Sequence, residues 1–323
     1  MSARPLSLML VVLLAACGGG GGGTDVLPDA PAALYAPDDG VREAAAPAWL
    51  DLYDGARDKT LAIRVDLPAG SDICPLLLWS HGFLGSRDGY DALVGRWVSH
   101  GYVCIRFTHS DSLAIPAEDR AAFEDWASRP ADLSFVLDAL DDVEAAVPGL
   151  LGRVDRTRIG AGGHSFGAGT SNLIGGARTV LGQSFLDPRI LAALLISPQG
   201  EGDLLGPRSW DDFQNPMLVL TGTLDDSDRT GNDWTWRLDP YTHAPAGSKH
   251  LIVIDGAYHD FGGISGASFP GQGPRNDDHV LWVRSATTAF FDAYVRGNEA
   301  ARKWLASDTM TEATGGVVDV DWK

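Results

Sequence analysis

The sequence has few basic residues. It contains 25 lysines and arginines against 43 aspartates and glutamates, which gives a formal net charge of −18 over 323 residues. A surface of this charge repels phosphate backbones and anionic lipid, so it argues against nucleic acid as a partner and otherwise indicates solubility. No repeat or composition break divides the chain, and 45% of its residues are hydrophobic. We therefore expect one domain with a sizeable core.

The sequence also lacks a membrane-spanning run at its N-terminus. The apolar run from Leu6 to Ala16 follows Arg4 and is too short for a bilayer, but it fits the core of a signal peptide. It ends in Leu14-Ala15-Ala16-Cys17, which resembles the lipobox of bacterial lipoproteins. The resemblance implies cleavage before Cys17 and a membrane contact through a lipid anchor only. An ordinary secretory signal with a chance cysteine is the alternative.

These features predict three segments. Residues 1–16 form the signal peptide, and residues 17–47 form a lipidated cysteine with a flexible tether, because Gly18–Gly23 precede a stretch rich in proline, alanine and aspartate. Residues 48–323 form the folded domain. By resemblance to lipoprotein sorting, Gly18 after the cysteine favours the outer membrane, facing the periplasm or the cell surface.

Cysteine is scarce beyond the N-terminus, where Cys74 and Cys104 are the remaining two. Cys74 lies just before one predicted strand and Cys104 lies inside the next. An exported protein meets an oxidising compartment, so the two could pair as a disulfide. Two buried free thiols are the alternative.

Apolar runs alternate with helical patterns along the chain. Residues 61–67 alternate in polarity and predict an early antiparallel strand, whereas the later runs are continuously apolar, as in buried parallel strands. Helices are predicted over 90–100, 131–147 and 279–305 and after residue 165. This order predicts an α/β fold with a mostly parallel sheet covered on both faces. The continuous runs are 76–80, 102–107, 190–196, 217–221 and 250–254.

The segment Gly163-His164-Ser165-Phe166-Gly167 fits the pattern Gly-x-Ser-x-Gly. A β-prone run precedes it and a small-residue helix start follows it, so Ser165 is predicted on a tight strand-to-helix turn that needs glycine on both sides. The helix N-terminus there favours developing negative charge. A glycine-rich turn without function is the alternative.

A nucleophilic serine needs a base and an orienting carboxylate, which follow it in the order acid, then histidine, in this type of site. His259 stands in the segment Asp255–His259, a predicted loop directly after the run 250–254, at the sheet end where ligands bind. Asp225 follows the run 217–221 and is the predicted acid, with Asp226 second and Asp228 third. This acidic cluster has a second interpretation as a cation site, although its spacing lacks the glycine-separated ligands expected of one.

The oxyanion of the transition state needs two backbone donors. One is predicted to be the N–H of Phe166, directly after the nucleophile. The other is predicted to be the N–H of Phe83, because His81-Gly82 at the end of the run 76–80 lets the backbone turn outward. His81 itself is expected to bond within this loop.

Four segments carry a resemblance to a known family: Trp79–Phe83, Arg129–Asp132, Gly163–Gly167 and Gly256–His259. Together they resemble bacterial members of the platelet-activating-factor acetylhydrolase and dienelactone-hydrolase group of α/β-hydrolases. The resemblance covers about residues 50–305. It implies an α/β-hydrolase fold without a large lid domain, with the same triad and oxyanion donors. Dienelactone hydrolases proper use a cysteine nucleophile, so Ser165 indicates esterase chemistry.

Bacterial cutinase-like polyesterases share a similar layout. Phe83 is aromatic, like the residue that follows their oxyanion glycine. They also carry a tryptophan after the strand that follows the nucleophile turn, and the corresponding stretch here, Ser197-Pro198-Gln199-Gly200, does not match it. The implied mechanism is acyl transfer to Ser165 and hydrolysis by water, which requires no cofactor or metal. We expect a small-molecule or polymeric ester as substrate. One alternative is a lactonase, thioesterase or amidase, since these enzymes use the same triad. A non-catalytic binding protein of this fold is a second alternative, but such a protein would lack a complete triad.

Overall fold

The computed structural model describes residues 32–121, 126–267 and 272–323. The predicted signal peptide, Cys17 and the first part of the tether lie outside these residues. Residues 32–47, which the sequence placed in the tether, pack against the domain: Tyr35 Oη donates to Asp292 Oδ2 at 2.9 Å, and Trp304 Nε1 donates to the Ala33 carbonyl at 3.0 Å. Among the described residues, the folded domain therefore includes residues 32–47, ahead of the predicted boundary at residue 48.

In the described part of the chain, nine strands form one sheet in the order β1-β2-β4-β3-β5-β6-β7-β8-β9. Six neighbouring strands, in the sheet order β4-β3-β5-β6-β7-β8, pair in parallel. The strands β1, β2 and β9 pair antiparallel at the edges. The mostly parallel sheet and the antiparallel early strand are confirmed. The strands are β1 Ala48–Asp54, β2 Lys59–Asp66, β3 Cys74–Ser80, β4 Val103–Thr108, β5 Val154–His164, β6 Ile190–Ile196, β7 Met217–Leu224, β8 Lys249–Tyr258 and β9 Val318–Trp322.

Two of the predicted helices are interrupted. The predicted helix 131–147 breaks at Ala139, and the predicted helix 279–305 breaks where Gly297 takes a φ of 77° and Asn298 caps the next helix by accepting from Ala300 and Ala301 N–H. The helices are α1 Asp91–Ser99, α2 Ser128–Asp138, α3 Leu140–Ala146, α4 Phe166–Gly175, α5 Asp239–His243, α6 Asp277–Tyr294, α7 Glu299–Leu305 and α8 Thr309–Ala313.

Helices cover both faces of the sheet. One apolar cluster joins the sheet to α1, α6 and α7, and a second joins its other face to α2 and α3. Cys104 lies in the first cluster opposite Leu77, whereas Cys74 lies in the second. Cys74 and Leu77 are an odd number of positions apart on β3, so their side chains point to opposite faces. Both cysteines are free and buried, so the disulfide alternative is wrong.

The connections after β6 and β7 remain loops with short helical turns. Residues 197–216 contain no helix, and residues 225–248 contain only the 3-10 turn Trp234–Leu238 and α5. Within the described ranges there is accordingly no separate lid domain. None of the helices described there combines the length and apolar character needed to cross a bilayer.

Candidate active site

Ser165 occupies a sharp turn between β5 and α4. Its φ of 54° and ψ of −120° lie in a region that non-glycine residues rarely adopt. A Cβ on Gly163 would lie 2.2 Å from the Gly167 carbonyl oxygen, and a Cβ on Gly167 would lie 2.0 Å from the Ser80 carbonyl oxygen. Both glycines of the motif are thus required by close backbone approach, and the turn presents Ser165 to a cavity.

His259 and Asp225 meet at the carboxyl ends of β8 and β7. His259 Nδ1 lies 2.6 Å from Asp225 Oδ1, and since an ionised carboxylate only accepts, Nδ1 carries the proton. His259 lines the same cavity as Ser165. Asp226, the second candidate acid, instead accepts from Trp234 N–H at 2.9 Å. The structure therefore places Asp225 beside the histidine and Asp226 away from it.

The Asp225 carboxylate is fully buried and heavily bonded. It accepts from Ser197 Oγ at 2.5 Å and from Thr221 Oγ1 at 3.0 Å. Burial by itself would raise the pKa of Asp225, but the charge of Arg237, the His259 partner and the Ser197 hydroxyl lower it below the usual value. The carboxylate is held ionised, as an orienting acid must be.

Arg237 is a site residue that the sequence did not reveal. Its buried guanidinium lies 2.9 Å from Asp225 Oδ1 and donates to the carbonyls of Asp225, Ser197 and Pro198. It therefore ties the loops after β6 and β7 together beneath the triad. No motif marks it, because its only local context is the 3-10 turn of an irregular insertion.

The loop after β3 runs beside the nucleophile. A Cβ on Gly82 would lie 3.5 Å from Ser165 Cβ, and the Phe83 and Phe166 rings meet edge to face with centroids 6.1 Å apart. Phe166 is the first residue of α4, and both phenylalanines line the cavity. The two predicted oxyanion donors are thus in the expected segments on either side of Ser165.

A buried arginine supports this loop from below. Arg129 Nη1 donates to the His81 carbonyl at 2.6 Å, its guanidinium pairs with Asp111 at 2.7 Å, and its Cζ lies 4.2 Å from the centre of the Phe166 ring. Asp111 in turn accepts from Leu84 N–H at 3.1 Å. The motif Arg129–Asp132 thus holds the oxyanion segment in place.

The two histidines beneath the loop are structural. His81 Nδ1 lies 2.6 Å from the Gly82 carbonyl, which agrees with the expectation that His81 bonds within this loop. His81 Nε2 accepts from His109 N–H. His109 Nδ1 bonds to Asp132 at 2.8 Å. Burial, reinforced by the charge of Arg129, lowers the pKa of His109 to about 4.

The cavity above Ser165 has a volume of about 1120 Å³. The insertion between β7 and β8 contributes one of its aromatic rings to the wall: Trp236 lines the cavity, Trp234 is not among the lining residues, and Tyr241 is buried in the core. Tyr241 lies on α5 and packs into an apolar cluster of the core. Besides Trp236 and the two phenylalanines, the apolar wall of the cavity includes Leu84, Leu113, Trp126, Leu173, Leu204 and Leu205.

One group of potential metal ligands occurs among the described residues, beside the cavity loops. The side chains of Glu201, Asp239 and His243 bring their ligand atoms within 4.8 Å of one another. His243 Nε2 bonds to Glu201 at 2.7 Å, and Asp239 accepts from Glu201 N–H. Glu201 thus bonds to both of the other residues. The group is distinct from the 225–228 cluster, in which Asp225 bonds to His259 and Asp226 to Trp234 N–H.

Comparison with known proteins supports the sequence-based resemblance. A sequence model of the family platelet-activating factor acetylhydrolase, isoform II, matches residues 59–125, which include the oxyanion loop but not Ser165, Asp225 or His259. A ferulic acid esterase from Streptomyces cinnamoneus has a similar structure, with a TM-score of 0.64 at 19% identity over 90% of this chain and 98% of that one. A comparison with curated protein sequences gives no match. The structural likeness confirms the α/β-hydrolase fold.

Proposed function

We propose that this protein is a serine hydrolase that cleaves carboxylic esters through an acyl-enzyme. The observation that carries the proposal is the contact of 2.6 Å between His259 and the buried Asp225, because His259 lines the same cavity as Ser165 on its strained strand-to-helix turn. The acetylhydrolase family match and the fold shared with a ferulic acid esterase support ester chemistry.

The mechanism follows from the roles of these groups. His259 Nε2 takes the proton of Ser165 as the hydroxyl attacks the ester carbonyl, and Asp225 stabilises the imidazolium that forms. The N–H groups of Phe83 and Phe166 receive the negative charge on the carbonyl oxygen. His259 then protonates the leaving alcohol and activates water to release the acyl group, so each step uses only groups of the chain and water.

For substrate, we propose an ester with a short acyl group and a bulky or polymeric alcohol side. A cavity of about 1120 Å³ exceeds what a short acyl group fills, and ordinary ligand pockets hold roughly 300–1,000 Å³. Its leucine and tryptophan walls suit an aromatic or branched group. No helical lid among the described residues encloses a long chain, and each methylene left in water forgoes roughly 0.8 kcal/mol of binding.

The test is turnover of a panel of p-nitrophenyl esters from C2 to C16, with aryl esters, lactones, thioesters, amides and polyester films, by wild type and Ser165→Ala. We expect kcat/KM to peak between C2 and C6 and to vanish in the variant. A maximum at C12 or longer would refute the short-acyl preference, and turnover of amides alone would refute the ester assignment.

We also propose that the chain is exported as a lipoprotein anchored in the outer membrane. The apolar run after Arg4 and the Leu14–Cys17 segment support this. Cys17→Ser expressed in a bacterial host should move the protein from the membrane to the soluble fraction. Wild type found entirely in the periplasmic fraction would contradict the anchor.

A further inference from the structure

Tyr90 is held in an unusual backbone conformation beside the active site. It precedes α1, is 4% exposed, and has a φ of 69°. Non-glycine residues keep such a conformation only where surrounding contacts impose it. Here the Tyr90 N–H donates to the Ser265 carbonyl at 3.0 Å. The backbone of Tyr90 is thus fixed by the loop that follows β8.

The Tyr90 hydroxyl lies in a hydrogen-bonded chain between two loops of the site. Gly82 N–H donates to Tyr90 Oη at 3.0 Å, Tyr90 Oη lies 3.0 Å from His164 Nδ1, and His164 Nε2 lies 2.7 Å from the His259 carbonyl oxygen. One end of the chain is therefore attached to the oxyanion loop and the other to the residue that carries the proposed base.

The direction of every bond in this chain is determined. The His259 carbonyl can only accept, so His164 Nε2 carries a proton. Burial, and then the charge of His259, lowers the pKa of His164 to about 3, so the ring is neutral and its Nδ1 is an acceptor. The Tyr90 proton must point to Nδ1, which leaves the Tyr90 oxygen to accept from Gly82. No alternative arrangement satisfies all three bonds.

A second path closes the chain into a ring. Ser265, whose carbonyl binds Tyr90 N–H, donates its own N–H to Asp260 Oδ1 at 3.0 Å, and Asp260 directly follows His259. Tyr90, His164, Asp260 and Ser265 are each at most 7% exposed. Water therefore has little access to replace these bonds, and an unmade bond leaves a buried polar group without a partner.

We propose that Tyr90 is a positioning residue that couples the placement of the oxyanion loop to the placement of the His259 loop. The proposal rests on the proposed function, because Tyr90 is taken to fix the position of the Phe83 N–H donor relative to the His259 base. Tyr90 acts through Gly82 and His164. Its hydroxyl, rather than its ring, carries the coupling.

The test compares two tyrosine-to-phenylalanine variants. Tyr90→Phe removes the hydroxyl and keeps the ring. Tyr102→Phe is the matched control, because Tyr102 lies in the same apolar cluster, is 0% exposed and donates its hydroxyl to Asp292 Oδ1 at 2.7 Å, away from the site loops. Amide hydrogen exchange is followed in peptides covering 81–85 and 259–265, together with kcat and KM on the best ester.

For Tyr90→Phe we expect faster exchange in both peptides and a fall in kcat of about 10- to 100-fold with KM within about threefold, because sub-ångström to 1 Å misplacement of catalytic groups costs this much. Tyr102→Phe should leave both peptides and kcat unchanged. Unchanged exchange in 259–265, or unchanged kcat in an active enzyme, would overturn the coupling. If wild type hydrolyses no ester, the proposed function fails, and the exchange result alone still decides the coupling.

A double-mutant cycle provides the second measurement. His164→Asn removes the Nε2 donor to the His259 carbonyl. If Tyr90 and His164 act as one chain, Tyr90→Phe combined with His164→Asn should be about as slow as the slower single variant. Losses in kcat that multiply would show two independent residues and contradict the proposal. If Tyr90→Phe folds poorly, His164→Asn alone still tests the proposal. It should speed amide hydrogen exchange in the peptide 259–265, and unchanged exchange there would contradict the coupling.

Discussion

The ion pair between Arg237 and Asp225 allows a quantitative prediction. Arg237→Met keeps most of the side-chain volume and leaves the fully buried Asp225 carboxylate without its cation. Removing one partner of a buried ion pair costs about 3–5 kcal/mol. Because Asp225 keeps its bonds to His259, Ser197 and Thr221, we expect the lower end, about 3 kcal/mol.

This loss is measurable by thermal unfolding. Unfolding entropy is roughly 2.1 cal/mol/K per residue, or about 0.6 kcal/mol/K for a domain of this size, so a loss of about 3 kcal/mol should lower the melting temperature by about 5 °C. The pKa of Asp225 should rise once the charge of Arg237 is gone, since burial raises it and that charge opposes burial. Asp225 must stay ionised to orient His259, so activity on the acid side should be lost at higher pH than in wild type.

The matched control is Arg153→Met. Arg153 is also buried, but it donates to the carbonyls of Pro68, Asp72 and Gly149 and pairs with no carboxylate of the site. It should lower the melting temperature and leave the pH dependence of kcat/KM unchanged. Arg237→Lys should recover part of both losses. An Arg237→Met protein as stable as wild type, with an unshifted pH profile, would refute the reasoning.

Two further predictions use other buried groups. Asp225→Asn should lower kcat by on the order of 10⁴, because Asp225 bonds to His259. Asp226→Asn should stay within a few-fold, because the Asp226 carboxylate accepts from Trp234 N–H rather than from His259. Similar losses in both variants would contradict the assignment of the acid. Burial lowers the pKa values of His109 and His250 to about 4 in the folded protein, below the unfolded value of 6.5. As the pH falls from 6.5 to 4, the unfolded chain binds protons at these histidines and the folded protein does not. The stability that they contribute is therefore complete above pH 6.5 and is lost through this range. Urea unfolding should therefore show stability falling by up to about 1.4 kcal/mol per pH unit for each histidine, and a flat dependence between pH 7 and 5 would refute this.

The central strands and the turn at Ser165 could be predicted from the sequence because their signals are local. Continuous apolar runs identify strands buried on both faces, and the clearance at Gly163 and Gly167 explains why the motif needs both glycines. His259 and Asp225 were predictable because each follows such a run directly. The sequence prediction missed the interruption of the last long helix, although Gly297-Asn298 is an end-and-cap signal.

The features that the sequence did not reveal depend on distant contacts. The edge strands β1 and β9 consist mostly of exposed or half-buried residues, so they lack a buried run. The relation between Cys74 and Cys104 depends on the pairing of β3 with β4, which no local pattern specifies. Arg237 and Tyr90 gain their roles only when loops from separate strands meet.

The most direct test of the central claim is covalent labelling by a fluorophosphonate, with the modified residue identified by peptide mass mapping. Such a probe reacts with a serine that a neighbouring base activates and an oxyanion site stabilises. We predict one adduct per chain, located on Ser165, and none on Ser165→Ala. An adduct on a different residue, or equal labelling of Ser165→Ala, would contradict the assignment of Ser165 as the nucleophile.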